Sequence, residues 1–256
     1  MIEHLIHPLV CERFRTDARY REGHLRVVNA LPARRVAGLH SPETKLLAKQ
    51  LSAAGANVVM SDGRQHVCRN GAQLITCFEE ESSGSLCYEE TVIWGYLINL
   101  EKCSLDARLA MLARYVPVLD NWAVCDSYCA HAKWMQRADK EALWEFLQRW
   151  FRSEREFEVR FAIVMSMCYL MNEEWLPTIF HQLETIRLSD IVSEYTFTHP
   201  PYYVRMGIAW LLATALAKYP EETHLFVNHT SLSDDVKKLY ARKARESFRT
   251  RNVSPY

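Results

Sequence analysis

Trp122 and Asp126 lie four residues apart in DNWAVCDSYC, residues 120–129. In a helix that spacing stacks the two side chains on one face. A carboxylate beside an indole is an unusual pair for a helix surface, and both groups attract positive charge. The plain structural alternative makes Asp120 or Asn121 a helix cap, Trp122 a core residue and Asp126 a solvated acid. Arg160 lies in EREFEVRFAIVMSMCYLM, residues 154–171, a segment apolar almost all round after Phe157. It shares a face with Val164 and Met171. A guanidinium there needs an anion, either a carboxylate such as Asp126 or a bound phosphate. Trp210 ends YYVRMGIAW, residues 202–210. In such a run tryptophan reads first as core. Gly207 costs a helix about 1 kcal/mol relative to alanine, which points to a closely packed neighbour.

Cations gather near both ends of the chain. Arg13, Arg15, Arg19, Arg21 and Arg26 form one set; Lys237, Lys238, Arg242, Lys243, Arg245, Arg249 and Arg251 form the other. The second set stripes one side of a helix. It is either a solvated face or a row of phosphate contacts through residues such as Lys237, Arg242 and Arg245. Cys125-x3-Cys129-x-His131 has no second Cys/His pair to complete a zinc site, so no metal is expected. No phosphate-binding glycine loop, dinucleotide fingerprint, nucleophile elbow or His-Glu-x-x-His motif is present.

The elements that must position these residues are helical. The chain has 256 residues, with 31 Lys and Arg balancing 31 Asp and Glu. That balance excludes a polyelectrolyte or histone-like protein but permits segregated charge. Only 8 glycines are present, and none falls between Gly95 and Gly207, which argues against a turn-rich β protein. The longest uncharged runs, residues 161–172 and 206–217, are shorter than the roughly 20 residues of a membrane span. The N-terminus lacks the order of a signal peptide. The eight cysteines are spread along helical patterns and read as reduced, buried thiols of a cytoplasmic protein.

Ser41-Pro42-Glu43 marks a helix start with Ser41 as its cap, and Gly55 marks the end of that helix. An amphipathic segment covers residues 1–22, and a short helix covers 24–31. Ser61-Asp62-Gly63 forms a turn before a helix near 65–79, and residues 79–84 form a loop. From residue 86 the spacing predicts helices at about 86–101, 105–116, 119–136, 139–152, 155–171, 173–185, 202–219, 221–229 and 233–248. Breaks fall at Pro117, Asn172, residues 198–201 and Pro220. Essentially no sheet is expected. Recurring helix pairs with short connectors imply a solenoid with a concave face, in one domain over residues 1–251 followed by a frayed tail at 252–256.

Taken together, GLHSPETKLLAKQL (38–51), DNWAVCDSYC (120–129), EFEVRFAIVM (156–165), YYVRMGIAWLLA (202–213), KYP (218–220) and RESFR (245–249) resemble the AlkD-like DNA alkylation repair proteins. The resemblance spans roughly residues 16–250 and implies an all-α fold of HEAT-like repeats with a concave DNA-binding face. It implies a monofunctional DNA glycosylase of base excision repair, acting as a monomer on duplex DNA that contains alkylated bases. No cofactor and no membrane are implied. The catalytic aspartate falls on Asp126, its neighbouring tryptophan on Trp122, a phosphate-contacting arginine on Arg160 and a second cleft tryptophan on Trp210. The family's N-terminal aromatic has no counterpart, since counting back from Gly38 lands on Asn29. Relatives without glycosylase activity exist, so a silent binder of damaged or branched DNA is one alternative and a protein-binding helical scaffold another.

Overall fold

A computed structural model of the chain describes residues 1–81, 83–197 and 199–256. It is all-α and of helical-repeat type: 66% of residues are helical, and the described residues contain fourteen α-helices and one two-stranded sheet. Contacts divide the chain into two compact units, Met1–Trp134 and Met135–Tyr256.

The first unit contains α1 (Glu3–Ile6), α2 (Glu12–Thr16), α3 (Ala18–Val28), α4 (Ser41–Ala54), β1 (Ala56–Val59), β2 (Gln65–Cys68), α5 (Gly71–Glu80), α6 (Tyr88–Leu100), α7 (Leu105–Tyr115) and α8 (Trp122–His131). At its centre α6 is buried from Glu89 to Ile98, and α4, α5, α7 and α8 pack around it. The second unit contains α9 (Lys140–Phe151), α10 (Glu156–Tyr169), α11 (Leu176–Thr185), α12 (Tyr202–Leu216), α13 (Pro220–His229) and α14 (Asp234–Glu246). Here α10 is buried from Glu156 to Met167, and α12 packs against α10, α13 and α14. Among the described residues, no helix is long and apolar enough to cross a membrane.

The nine helices expected after residue 86 are present, most within two or three residues of the expected ends. The expected 119–136 segment is shorter: α8 stops at His131, and Lys133–Gln136 forms a 3-10 turn. Near the N-terminus the helices divide at Asp17, whose side chain accepts from the Tyr20 amide at 3.0 Å and caps α3. Ser41 begins α4 from inside; His40 occupies the cap position, and its carbonyl accepts from the Thr44 hydroxyl at 2.8 Å.

A hairpin replaces the first part of the helix expected near 65–79. Ala56 pairs with Cys68 and Val59 with Gln65 across the Ser61-Asp62-Gly63 turn. Gly55, at φ +68, closes α4 and lies so near the Cys68 carbonyl that no side chain fits there. The expected loop at 79–84 starts later, since α5 runs through Glu80. Ser82 of that loop and Thr198 of the expected break at 198–201 lie outside the described residues. In the 252–256 tail, the Pro255 carbonyl accepts from the Tyr240 hydroxyl at 2.9 Å, and Tyr256 donates to the Lys237 carbonyl at 3.2 Å.

Candidate active site

The start of α8 is fixed from three directions. Asn121, fully buried, accepts from the Ala123 amide at 2.7 Å and so caps the helix. Its amide group also donates to the carbonyls of Val28 at 2.8 Å and Asn29 at 3.1 Å. Asn29 is the left-handed C-cap of α3, at φ +50, a conformation that asparagine tolerates better than most residues. The position to which counting assigned the missing aromatic is thus a helix stop. Asp120 receives Nε and Nη2 of Arg34, each at 2.7 Å, and Arg34 also donates to the Leu86 carbonyl. Farther along, Asn99 of α6 donates to the Tyr128 carbonyl at 3.2 Å and accepts from Trp134 Nε1 at 3.0 Å.

With its axis held, α8 buries Val124, Cys125, Tyr128 and Cys129. Its other face is partly exposed and carries Trp122, Ala123, Asp126, Ser127, Ala130 and His131. Trp122 and Asp126 therefore share an accessible face, and Trp122 is not core. On that face the helix neighbours of Asp126 include Ala123, Ser127 and Ala130, all small. Cys125 and Cys129 point inward as packing groups, and His131 donates from Nδ1 to the Ser127 carbonyl at 2.8 Å. One cluster among the described residues has metal-ligand proximity, Glu3, Cys87 and Glu90. Glu90 already accepts the amides of Ile2 at 2.6 Å and Cys87 at 2.9 Å.

In the second unit Arg160 is 5% exposed and donates from Nη1 to the Tyr203 carbonyl at 2.7 Å. Its guanidinium carbon lies 5.8 Å from the Tyr203 ring centroid. One turn earlier on α10, Glu156 accepts from the Tyr203 amide at 2.6 Å and from the Ser193 hydroxyl. Glu156 and Arg160 thus clamp the first turn of α12, which begins after Pro201 with no side-chain cap of its own. Burial pushes the Glu156 carboxyl above its ordinary range, against the pull of those hydrogen bonds and of the Arg160 charge. Two turns on from Tyr203, Trp210 is 37% exposed and not core. At Gly207 the neighbouring Ile163 and Arg160 stand at ordinary contact distance, not in close approach.

Among the C-terminal cations, Arg245 is exposed, Arg242 donates to Glu246 at 2.7 Å, and Lys237 donates to the Thr230 carbonyl at 3.1 Å. In the N-terminal set, Arg13 pairs with Asp17 at 3.4 Å, while Arg15 and Arg21 donate to backbone carbonyls. Sequence reasoning missed the buried carboxylates. Glu89, fully buried, accepts the amides of Ala37 at 2.9 Å, Gly38 at 2.7 Å and Leu39 at 3.2 Å, and so holds the segment leading into α4. The available signal was an acid pair heading an uninterrupted apolar run, YEETVIWGYLI.

The fold and these faces define an all-α helical-repeat protein whose helix faces offer indole, carboxylate and cationic groups to solvent. Residues 88–248 match the family described as DNA alkylation repair enzyme, and the chain belongs to that family. The matched region includes Trp122, Asp126, Arg160, Trp210, Lys237, Arg242 and Arg245, whereas the motif at 38–51 precedes it. No curated protein and no solved structure matches the chain. The protein is accordingly an enzyme of alkylation damage repair, with DNA as its substrate.

Proposed function

We propose that the protein is a monofunctional DNA glycosylase that excises N3- or N7-alkylated purines from duplex DNA. One observation carries this reading: Asp126 and Trp122 share an accessible face of a firmly anchored helix in a chain of the alkylation repair family. An alkylated purine of this type is already cationic and leaves without protonation. The group that needs stabilising is the oxocarbenium-like sugar formed as the C1′–N bond breaks. The Asp126 carboxylate supplies that stabilisation and orients the attacking water. The Trp122 indole favours the cationic site, an interaction worth roughly 1–2 kcal/mol when desolvated. Trp210 and the cations Lys237, Arg242 and Arg245 serve DNA binding. Arg160 contributes by holding the first turn of α12; a direct phosphate contact would add a salt-dependent part to the effect of its loss.

The test is release of free base from a duplex carrying 7-methylguanine, for the wild type and for Asp126→Asn. Release by the wild type that collapses in the variant supports the reading. Release that survives in the variant removes Asp126 from the chemistry, and no release by a wild type that binds DNA favours the silent relative.

A further inference from the structure

Phe248 is 82% exposed just beyond the end of α14, an unfavourable place for a large apolar ring. It shares one groove of about 380 Å³ with Trp210, Thr214, Lys243, Glu246 and Arg249; the remaining lining side chains are small. That volume lies in the range of small-ligand sites. Among the described residues that line the groove, Glu246 is the one carboxylate, and it is engaged by Arg242 at 2.7 Å, so Lys243 and Arg249 leave the groove net positive. The Arg251 guanidinium lies 5.6 Å from the Phe248 ring centroid. Two accessible aromatic rings beside two cations are the components of a single-strand platform. Rings stack bases without regard to sequence, and cations take the adjoining phosphate. A base inside an intact duplex presents no free face to such rings, so the occupant is an unstacked nucleotide.

We infer that this groove holds one unstacked nucleotide of the DNA substrate, with its base against Trp210 and Phe248 and its phosphate on Lys243 and Arg249. The inference rests on DNA being the substrate and is independent of the chemistry assigned to Asp126. It is tested by fluorescence anisotropy with two labelled duplexes, one with a single-nucleotide bulge and one with the same bulge lacking its base. The wild type is expected to bind the base-bearing bulge at least about fivefold tighter. Phe248→Ala, a truncation at the surface that leaves the thermal midpoint in place, is expected to bring that ratio to about one. Lys243→Gln and Arg249→Gln are expected to weaken both duplexes alike and to flatten the salt dependence by roughly one phosphate contact each. A wild-type ratio of one, or a ratio that persists in Phe248→Ala, overturns the inference. Base release from a 7-methylguanine duplex, measured on the same preparation, reports separately on Asp126. A protein that releases nothing yet prefers the base-bearing bulge keeps this groove and loses the glycosylase reading.

Discussion

α8 and α12 both show solvent a tryptophan followed four residues later by a polar side chain: Trp122 and Asp126 in one, Trp210 and Thr214 in the other. Each packs on a helix buried along most of its length, α6 or α10, whose first turn holds carboxylates away from water. The devices differ at the fourth residue. Thr214 donates its hydroxyl to the Trp210 carbonyl at 2.9 Å and offers no charge, whereas Asp126 offers a carboxylate. Under the function proposed above, the same construction serves cation stabilisation in one unit and stacking in the other. In both units a buried helix with acids at its head acts as a mount, and the mounted helices differ in the side chain four residues after the tryptophan.

The largest effect should follow from removing that one charge. Asp126→Asn keeps shape and hydrogen bonding, and should slow base release by ~10²–10³, the usual effect of losing a positioned electrostatic group. Trp210→Phe keeps an aromatic face in the second unit, and single-turnover release should stay within a few-fold of wild type. Equal losses in the two variants would break the division between a reacting face and a stacking face.

The mounts themselves come next. Glu89→Ala strands the amides of Ala37, Gly38 and Leu39, and Glu156→Ala strands that of Tyr203, while the Ser193 hydroxyl keeps the Tyr195 carbonyl at 3.3 Å. At about 1–3 kcal/mol for an unsatisfied buried group, and with partial relaxation, losses of roughly 3 and 2 kcal/mol are expected in urea unfolding. Burial raises both carboxyls above the ordinary 4.5. The native state then holds these protons more tightly than the unfolded chain does. The groups favour folding most below about pH 4.5, and that contribution declines as pH rises through the raised native value. Glu89→Gln and Glu156→Gln should each remove part of this decline. Plotted against pH, the thermal midpoint of the variant minus that of the wild type should rise from pH 4.5 upward; a flat difference would place these carboxyls in water.

Legibility from sequence follows the range of the forces involved. The helices beyond residue 86 were readable because their stops are local: Pro220 starts α13, and Asn172 accepts from the Trp175 amide at 2.9 Å ahead of α11. The Trp122–Asp126 face was readable because helical spacing alone creates it. The Arg160 partner was not, because one partner is a backbone carbonyl on another helix and a carbonyl has no signature in sequence. The tie from Asn121 to the Asn29 carbonyl is hidden for the same reason. The hairpin went unread because four-residue strands leave too short an alternation to outweigh the helical spacing that follows them.

Gly95 and Gly207 supply the finest comparison, since each is a lone glycine inside an apolar helix. A Cβ at Gly95 would stand 2.9 Å from Tyr115 Cζ, nearer still to its hydroxyl, and 3.2 Å from Tyr128 Cδ2. Tyr115 is fully buried and donates to the Thr91 carbonyl at 3.2 Å, so it has nowhere to go. Gly95→Ala should therefore cost about 1–3 kcal/mol through overpacking despite the gain in helix propensity. At Gly207 the same atom would meet Ile163 Cγ2 at 3.5 Å and Arg160 Nη1 at 3.6 Å, both ordinary contacts. Nothing opposes the propensity gain there, and Gly207→Ala should stabilise the protein by about 0.5–1 kcal/mol. Base release should be retained, because the added methyl leaves the Arg160 bond to Tyr203 in place. If Gly207→Ala instead destabilised the protein as Gly95→Ala is expected to, α10 and α12 would have to approach more closely than 3.5 Å allows, and the clamp that sets Trp210 would be tighter than its counterpart beneath α8.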